Sequence, residues 1–206
     1  MQIKTKDITV YSLNPEIYKN RAFYIDEMRE MDIFKDVKRI AFDYKYKDRV
    51  RTITMAHIYG IVHAIDNSDF PLLLLEDDAR IRKPLPEAMN IPDKCSLIYL
   101  GGSNYNCGDI KPNMYLTDYD IEYYRVYYML SAHAILIPKK EDAKIIADSY
   151  INALFKGIFN DISLSLQSKD NVFLTPKDGL YFFQDDTSKH ATNFDWERVK
   201  SNFLRI

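Results

Sequence analysis

Hydrophobic and polar positions along this chain switch between two periods. Strand-like segments occur at residues 8–13, 37–42 and 96–100, and the uninterrupted apolar run Leu72–Leu75, introduced by Pro71, has the pattern of a strand buried on both faces. Between them, apolar residues recur three and four apart. Ile17, Tyr24, Met28 and Met31 form one such stripe, and Ile53, Ala56, Ile61, Ala64 and Ile65 form a second over residues 51–66. Asn14-Pro15 supplies an N-cap followed by a first-turn proline, which predicts a helix directly after the first strand. Four strands joined by crossover helices predict a parallel α/β sheet flanked by helices, in a single domain.

The second half is less regular. Residues 115–137 are rich in tyrosine and end in Ser-Ala-His-Ala-Ile-Leu-Ile-Pro, read as strands crossing the sheet edge, with His133 inside a strand. A helix over about 139–155, a short helix opening at Asn160-Asp161 and a strand at 172–175 follow. The sheet is therefore expected to be mixed but mainly parallel. Tyr115, Tyr119, Tyr123, Tyr124, Tyr127 and Tyr128 read either as half-buried strand residues or as a platform on which sugar rings stack.

The richest chemistry lies where Leu72–Leu75 run into Glu76-Asp77-Asp78. In open α/β sheets ligands bind beyond the carboxyl ends of the strands. Three adjacent carboxylates repel one another, and a hard divalent cation with oxygen ligands, Mg²⁺ or Mn²⁺ shared with substrate phosphates, relieves that repulsion. A solvated turn is the bland alternative. Gly101-Gly102 ends the next strand, where missing side chains allow a tight turn or close approach of a ligand to the backbone.

Composition narrows the partners. A chain of 206 residues with 47% hydrophobic content can bury one substantial core. Its net charge of −2 offers no broad basic field for nucleic acid. Cys95 and Cys107 are too few for a disulfide framework and lack zinc-site spacing. No apolar segment suits a signal peptide or a membrane span, so a cytoplasmic location is expected.

The order of these signals resembles the nucleotide-sugar-dependent glycosyltransferases of the GT-A (Rossmann-like) fold, especially the lipooligosaccharide and collagen galactosyltransferase type. The resemblance runs through Val10–Asn14 with Arg21 downstream, Ala56-His57, the leucine strand with Glu76-Asp77-Asp78, Ile98–Gly102, Ala132–Pro138 and Asn160-Asp161-Ile162. The size and the tyrosine-rich insert are still closer to the glycosyltransferase domain of large algal DNA viruses (chloroviruses), which decorate capsid glycans in the host cytosol. The galactosyltransferase pattern has Ser where this chain has Ala56.

The resemblance implies a division of roles. Residues 1–110 would form a nucleotide-binding half, and 111–206 an acceptor-binding half with a C-terminal segment. Asp78 would hold Mn²⁺ or Mg²⁺, with His190 as a second ligand; Glu76 would contact ribose or metal-bound water, and Asp77 would fix the turn or touch the sugar. Ser12, Leu13 and Asp43 would line the nucleoside pocket of a UDP-sugar donor, joined by Arg21 and Gly102 in binding it. Arg80 and Lys189 are candidates for neutralising phosphate. Asp161 would either deprotonate an acceptor hydroxyl or cap its helix. His57 and His63, on the second helix, read as packed or solvated. The expected reaction moves a hexose or deoxyhexose from a UDP-sugar to a glycan or glycoprotein hydroxyl. Two alternatives are a sugar-phosphate nucleotidyltransferase, which wants a glycine-rich loop after the first strand, and a non-catalytic carbohydrate-binding module.

Overall fold

The computed structural model describes residues 1–16, 22–43, 49–102, 114–130 and 133–185. Arg21, Cys107, Lys189, His190 and the segment 191–206 lie outside these residues. Among the described residues, twelve strands and four α-helices follow in the order β1 (Gln2–Lys4), β2 (Thr9–Pro15), α1 (Phe23–Glu30), β3 (Asp36–Phe42), α2 (Arg49–Asn67), β4 (Leu72–Glu76), β5 (Ala79–Ile81), β6 (Ala88–Asn90), β7 (Cys95–Tyr99), β8 (Tyr115–Asp118), β9 (Tyr123–Tyr127), β10 (Ala134–Ile137), α3 (Lys140–Lys156), α4 (Asn160–Gln167), β11 (Val172–Pro176) and β12 (Phe182–Gln184).

Eight strands form one mixed sheet in the order β3-β2-β4-β10-β7-β11-β9-β8. β3, β2 and β4 are parallel, as are β7 and β11. The sheet is mixed, as expected, and the strand that makes it so at its centre is β10. β10 is inserted between β4 and β7 and runs antiparallel to both. Its residues Ala134–Ile137 are all buried, so the leucine strand has an apolar partner on that side too. The proposed halves thus share one sheet, a strand of the second lying between two of the first.

Strand alternation divides the core into two layers. Val10, Leu73, Leu75, Ile98 and Leu136 point towards α1 and its Ile25 and Met28. Tyr11, Leu13, Leu72, Leu74, Tyr99 and Ile135 point towards Ile61 of α2 and Ile146 and Tyr150 of α3. Helices on opposite faces follow from handedness. The chain moves from β2 to β3 in one direction and from β3 past β2 to β4 in the other, and right-handed crossovers then require α1 and α2 on opposite faces. This reversal places a topological switch point between β2 and β4, where Leu13 pairs with Glu76.

Asn14 and Pro15 themselves belong to β2, in which Pro15 pairs with Phe42, while residues 17–21, where the expected helix would start, lie outside the described residues and α1 is described from Phe23. Asn14 is fully buried and its Oδ1 accepts a 2.8 Å bond from Arg39 Nε on β3, so the cross-strand contact outweighs the capping tendency.

At the other end of these strands, Asp69 ties three elements together. Its Oδ2 accepts 2.6 Å bonds from Lys38 Nζ on β3 and from the buried Tyr11 hydroxyl on β2. Burial pushes the Asp69 carboxyl up, but the bonds from Lys38 and Tyr11 outweigh it and hold the group below its ordinary value. A lowered folded value means that this stability is present above the unfolded value near pH 4 and is lost as pH falls through the folded one. Asp69→Ala is expected to cost about 1.5–3 kcal/mol at pH 7, mainly through the lost charge-assisted bond from Lys38, since the Tyr11 hydroxyl keeps a 2.8 Å contact with His63 Nδ1. Urea denaturation at pH 7 and pH 3 checks this, with the difference from wild type shrinking at the lower pH.

Candidate active site at the strand ends

The carboxyl ends of β2, β3, β4, β7 and β11 and the amino end of β10 meet at one edge of the sheet. Glu76 closes β4 there. Its backbone N–H donates to His133 O at 2.9 Å. Its side chain points into the α2–α3 layer, where Oε1 lies 3.5 Å from His57 Nε2. His57 is 1% exposed, its Nδ1 bonds Ile53 O at 3.0 Å, and its ring meets Tyr150 edge-on at 5.5 Å.

Asp161 arrives at the same place from α4. The joint between α3 and α4 is closed by a 2.9 Å contact of the Ser149 and Ser163 hydroxyls, with Ser163 Oγ also donating to Ser149 O at 2.8 Å. That joint sets the first turn of α4 beside Tyr150 and Tyr99. Asp161 does not cap α4 from the N-cap position, which Phe159 occupies. Its Oδ1 instead accepts the Ile162 N–H at 2.8 Å. Burial raises the Asp161 carboxyl, opposed by that bond and by its own N–H. The Asp161 and Glu76 charges both act on the fully buried Tyr150 hydroxyl, which burial first and then these neighbours push far up. Two carboxylates from opposite halves of the chain thus act electrostatically on the same buried tyrosine.

Asp77 and Asp78 form the turn between β4 and β5. Asp78 is 7% exposed, more enclosed than a carboxylate standing free at a strand end. Its carbonyl accepts the Asp185 N–H at 2.8 Å as β5 pairs with β12. Arg80 donates to Asp77 O and Ala79 O, both at 2.9 Å, and contacts Asp185 Oδ2 at 3.5 Å. Its guanidinium lies 3.1 Å over the Tyr24 ring centroid. A cavity of about 360 Å³ opens here, lined by Tyr24, Glu27, Arg80, Phe183 and Asp185 among others. Arg80 is thus largely committed to the turn.

The remaining candidates divide. Ser12 and Leu13 are in the interior of β2 at 4% and 3% exposure, and the Leu13 side chain belongs to the α2-side core. Only their backbone can reach a ligand. Asp43 is exposed just beyond β3 at the active edge. Gly102 is buried. A Cβ there would come within 2.9 Å of Met129 Sδ, so its missing side chain serves packing. His133 precedes β10 rather than lying in a strand, and burial lowers it to about 4. The tyrosines do not form one platform. Tyr123 is in the core at 3% exposure, and Tyr124 faces the other layer, while Tyr115 and Tyr127 stack at 4.6 Å. Burial raises the Cys95 thiol to about 12, leaving it unreactive.

Among the described residues, no group of three or more His, Cys, Asp or Glu side chains is arranged to hold a metal. The strand-end acids still suit a hard ion that takes one or two carboxylates and fills its remaining positions with water and phosphate oxygens. The sequence reading missed Tyr99 and Tyr150. His57 carried a usable signal, since it lies four residues before Ile61 on the buried stripe of α2.

No protein-family model matches this chain, and no curated protein matches it significantly. No helix among the described residues is long and apolar enough to cross a membrane. Among solved structures, the crystal structure of A197 from STIV aligns with a TM-score of 0.46 at 11% identity, covering 85% of this chain and 83% of that one. At that distance the likeness contributes nothing to a functional assignment.

Proposed function

We propose that the protein is a metal-dependent glycosyltransferase of GT-A type that moves a hexose or deoxyhexose from a UDP-sugar to a hydroxyl of a glycan acceptor. One observation supports this reading above the others. An acidic run ends the central strand at the switch point, and a second carboxylate, Asp161, reaches the same edge from the far half of the chain. Switch points are where α/β sheets bind nucleotides.

In this reading Asp78 holds Mn²⁺ or Mg²⁺, with His190 as a further ligand. When bound, the ion stabilises the charge that develops on the departing diphosphate. Glu76 orients the donor from the buried side of the strand end. Asp161 takes the acceptor hydroxyl proton. Its enclosed carboxylate is a stronger base than one in water, which suits that task. Asp43, exposed beyond β3, accepts a hydrogen bond from the base. The acceptor implied by the resemblance to chlorovirus enzymes is a capsid glycan.

The nucleotidyltransferase alternative is disfavoured because the end of β2 is Leu-Asn-Pro, without glycine and with no N–H on Pro15 to offer a phosphate. A thermal-shift series with UDP, GDP and ADP, each with and without Mn²⁺, tests the proposal. UDP with Mn²⁺ at about a hundred times its Kd should raise the melting temperature by roughly 5 °C or more. Asp78→Asn should remove the Mn²⁺-dependent part of the shift. Equal shifts for the three nucleotides, or indifference to Mn²⁺, would sink the UDP-sugar assignment.

A further inference from the structure

We propose that the groove between α1 and the β5–β12 pair binds a neutral sugar residue of the acceptor glycan; that this sugar belongs to an acceptor rests on the glycosyl-transfer reading. Tyr24, Glu27, Met28 and Met31 recur at helical spacing and form one wall. The other wall is the β5–β12 pair, where Arg80 and Phe183 stand opposite each other in the register and Asp185 follows. The floor is closed. Met28 is 7% exposed and Arg80 9%, and Arg80 is held by Asp77 O, Ala79 O and the Tyr24 ring. The rim is open, with Met31 49% exposed, Phe183 40% exposed and Glu27 exposed as well.

The lining selects the ligand. At about 360 Å³ the groove is at the small end of the range for organic ligands, roughly 300–1,000 Å³, which suits a monosaccharide unit better than a whole nucleotide sugar. Glu27 and Asp185 set two carboxylates against the single guanidinium of Arg80, which opposes phosphate or any other anion. A wholly apolar ligand would take water from all three charged groups and give nothing back. A sugar ring meets every part of this surface. Its hydroxyls donate to the carboxylates and accept from the guanidinium, charge-assisted bonds in both directions, and its C–H face covers Phe183 and Met31. The groove is also continuous with the strand end, because the Asp185 N–H donates to Asp78 O at 2.8 Å and Arg80 contacts Asp185 Oδ2 at 3.5 Å. A glycan that spans groove and turn gains binding energy away from the reacting atoms, where it favours one acceptor over another.

Methionine ¹³C-methyl spectra of the intact protein test this without turnover. Met28 and Met31 line the groove, while Met55 on α2 and Met89 on β6 are outside it and serve as controls. Titration with a panel of neutral di- and trisaccharides of hexoses and deoxyhexoses should move the Met31 methyl saturably and leave Met55 unmoved. Phe183→Ala and Glu27→Gln should each weaken that binding about 3- to 10-fold, the size of one ring or rim contact, and leave the thermal shift by UDP and Mn²⁺ unchanged. Phe183→Tyr, which keeps the ring, should bind as wild type. Silence of Met31 with every sugar overturns the proposal. So does a shift indifferent to both Phe183→Ala and Glu27→Gln, and so does a shift caused by trilysine but by no sugar, which would make the groove a site for basic peptide. The glycosyl-transfer reading fails separately. If saccharides move Met31 while UDP-hexoses with Mn²⁺ release no UDP, the acceptor role falls and the groove stands as a carbohydrate site; if UDP is released and Met31 is silent, only the groove falls.

Discussion

Replacing Asp161 by Asn should lower glycosyl transfer by roughly 10²- to 10⁴-fold, the usual contribution of a positioned base, while leaving the protein as stable as wild type or more so at pH 7. The two halves of this expectation share a cause. Burial raises the Asp161 carboxyl, so the folded state favours its protonated form. A raised folded value gives stability that is fully present below the unfolded value near pH 4 and is lost as pH rises through the folded one. At pH 7 the carboxylate is therefore a net cost that a neutral amide removes. Asn also keeps an oxygen to accept the Ile162 N–H. Thermal denaturation at pH 7 and pH 4 is the check. The advantage of Asn should narrow at the lower pH, and a variant less stable than wild type at pH 7 would show that the Asp161 charge supports the fold.

Gly101→Ala should destabilise the protein by about 1–3 kcal/mol or more, the range for overpacking a dense interior, and should also impair donor binding. A Cβ at Gly101 would lie 2.3 Å from His133 Nε2 and 2.9 Å from Ala134 Cβ. Neither neighbour can yield freely. His133 is 2% exposed, and Ala134 belongs to the β10 ladder. Displacing the His133 backbone would loosen its carbonyl from the Glu76 N–H, which links the packing defect to the strand end. Denaturation midpoints together with the UDP thermal shift measure both effects. Wild-type values in both would mean that this corner is more pliant than its geometry indicates.

Much of the architecture is written in local periodicity. The stripe of α2 and the runs of β3, β4, β7 and β11 appear in the structure within a few residues of their expected bounds. What periodicity could not reveal is pairing. Nothing about Ala134–Ile137 says that it lies between β4 and β7, because a run buried on both faces looks the same whether its neighbours are parallel or antiparallel. The short strands β1, β5, β6 and β12 were illegible for a related reason, since three residues carry no period. Glu76 stood out in the sequence because carboxylates rarely follow four leucines. Tyr99 and Tyr150 did not, because a tyrosine on a buried stripe reads as ordinary core until tertiary structure places a carboxylate beside it.

The antiparallel strand inserted at the centre of the sheet also shapes how the molecule is made. β4 and β7 appear early in the chain, each apolar and buried along nearly its whole length, yet they never pair with each other. Their shared neighbour emerges from the ribosome only after residues 134–137 are made. Until then two hydrophobic strands present open edges, the kind of surface that recruits other chains. The contacts that finish the sheet are remote in sequence, which favours slow folding. The strand end, where the Glu76 N–H meets the His133 carbonyl, is thus completed late, so a nascent chain should form the candidate site only after most of its length has been synthesised.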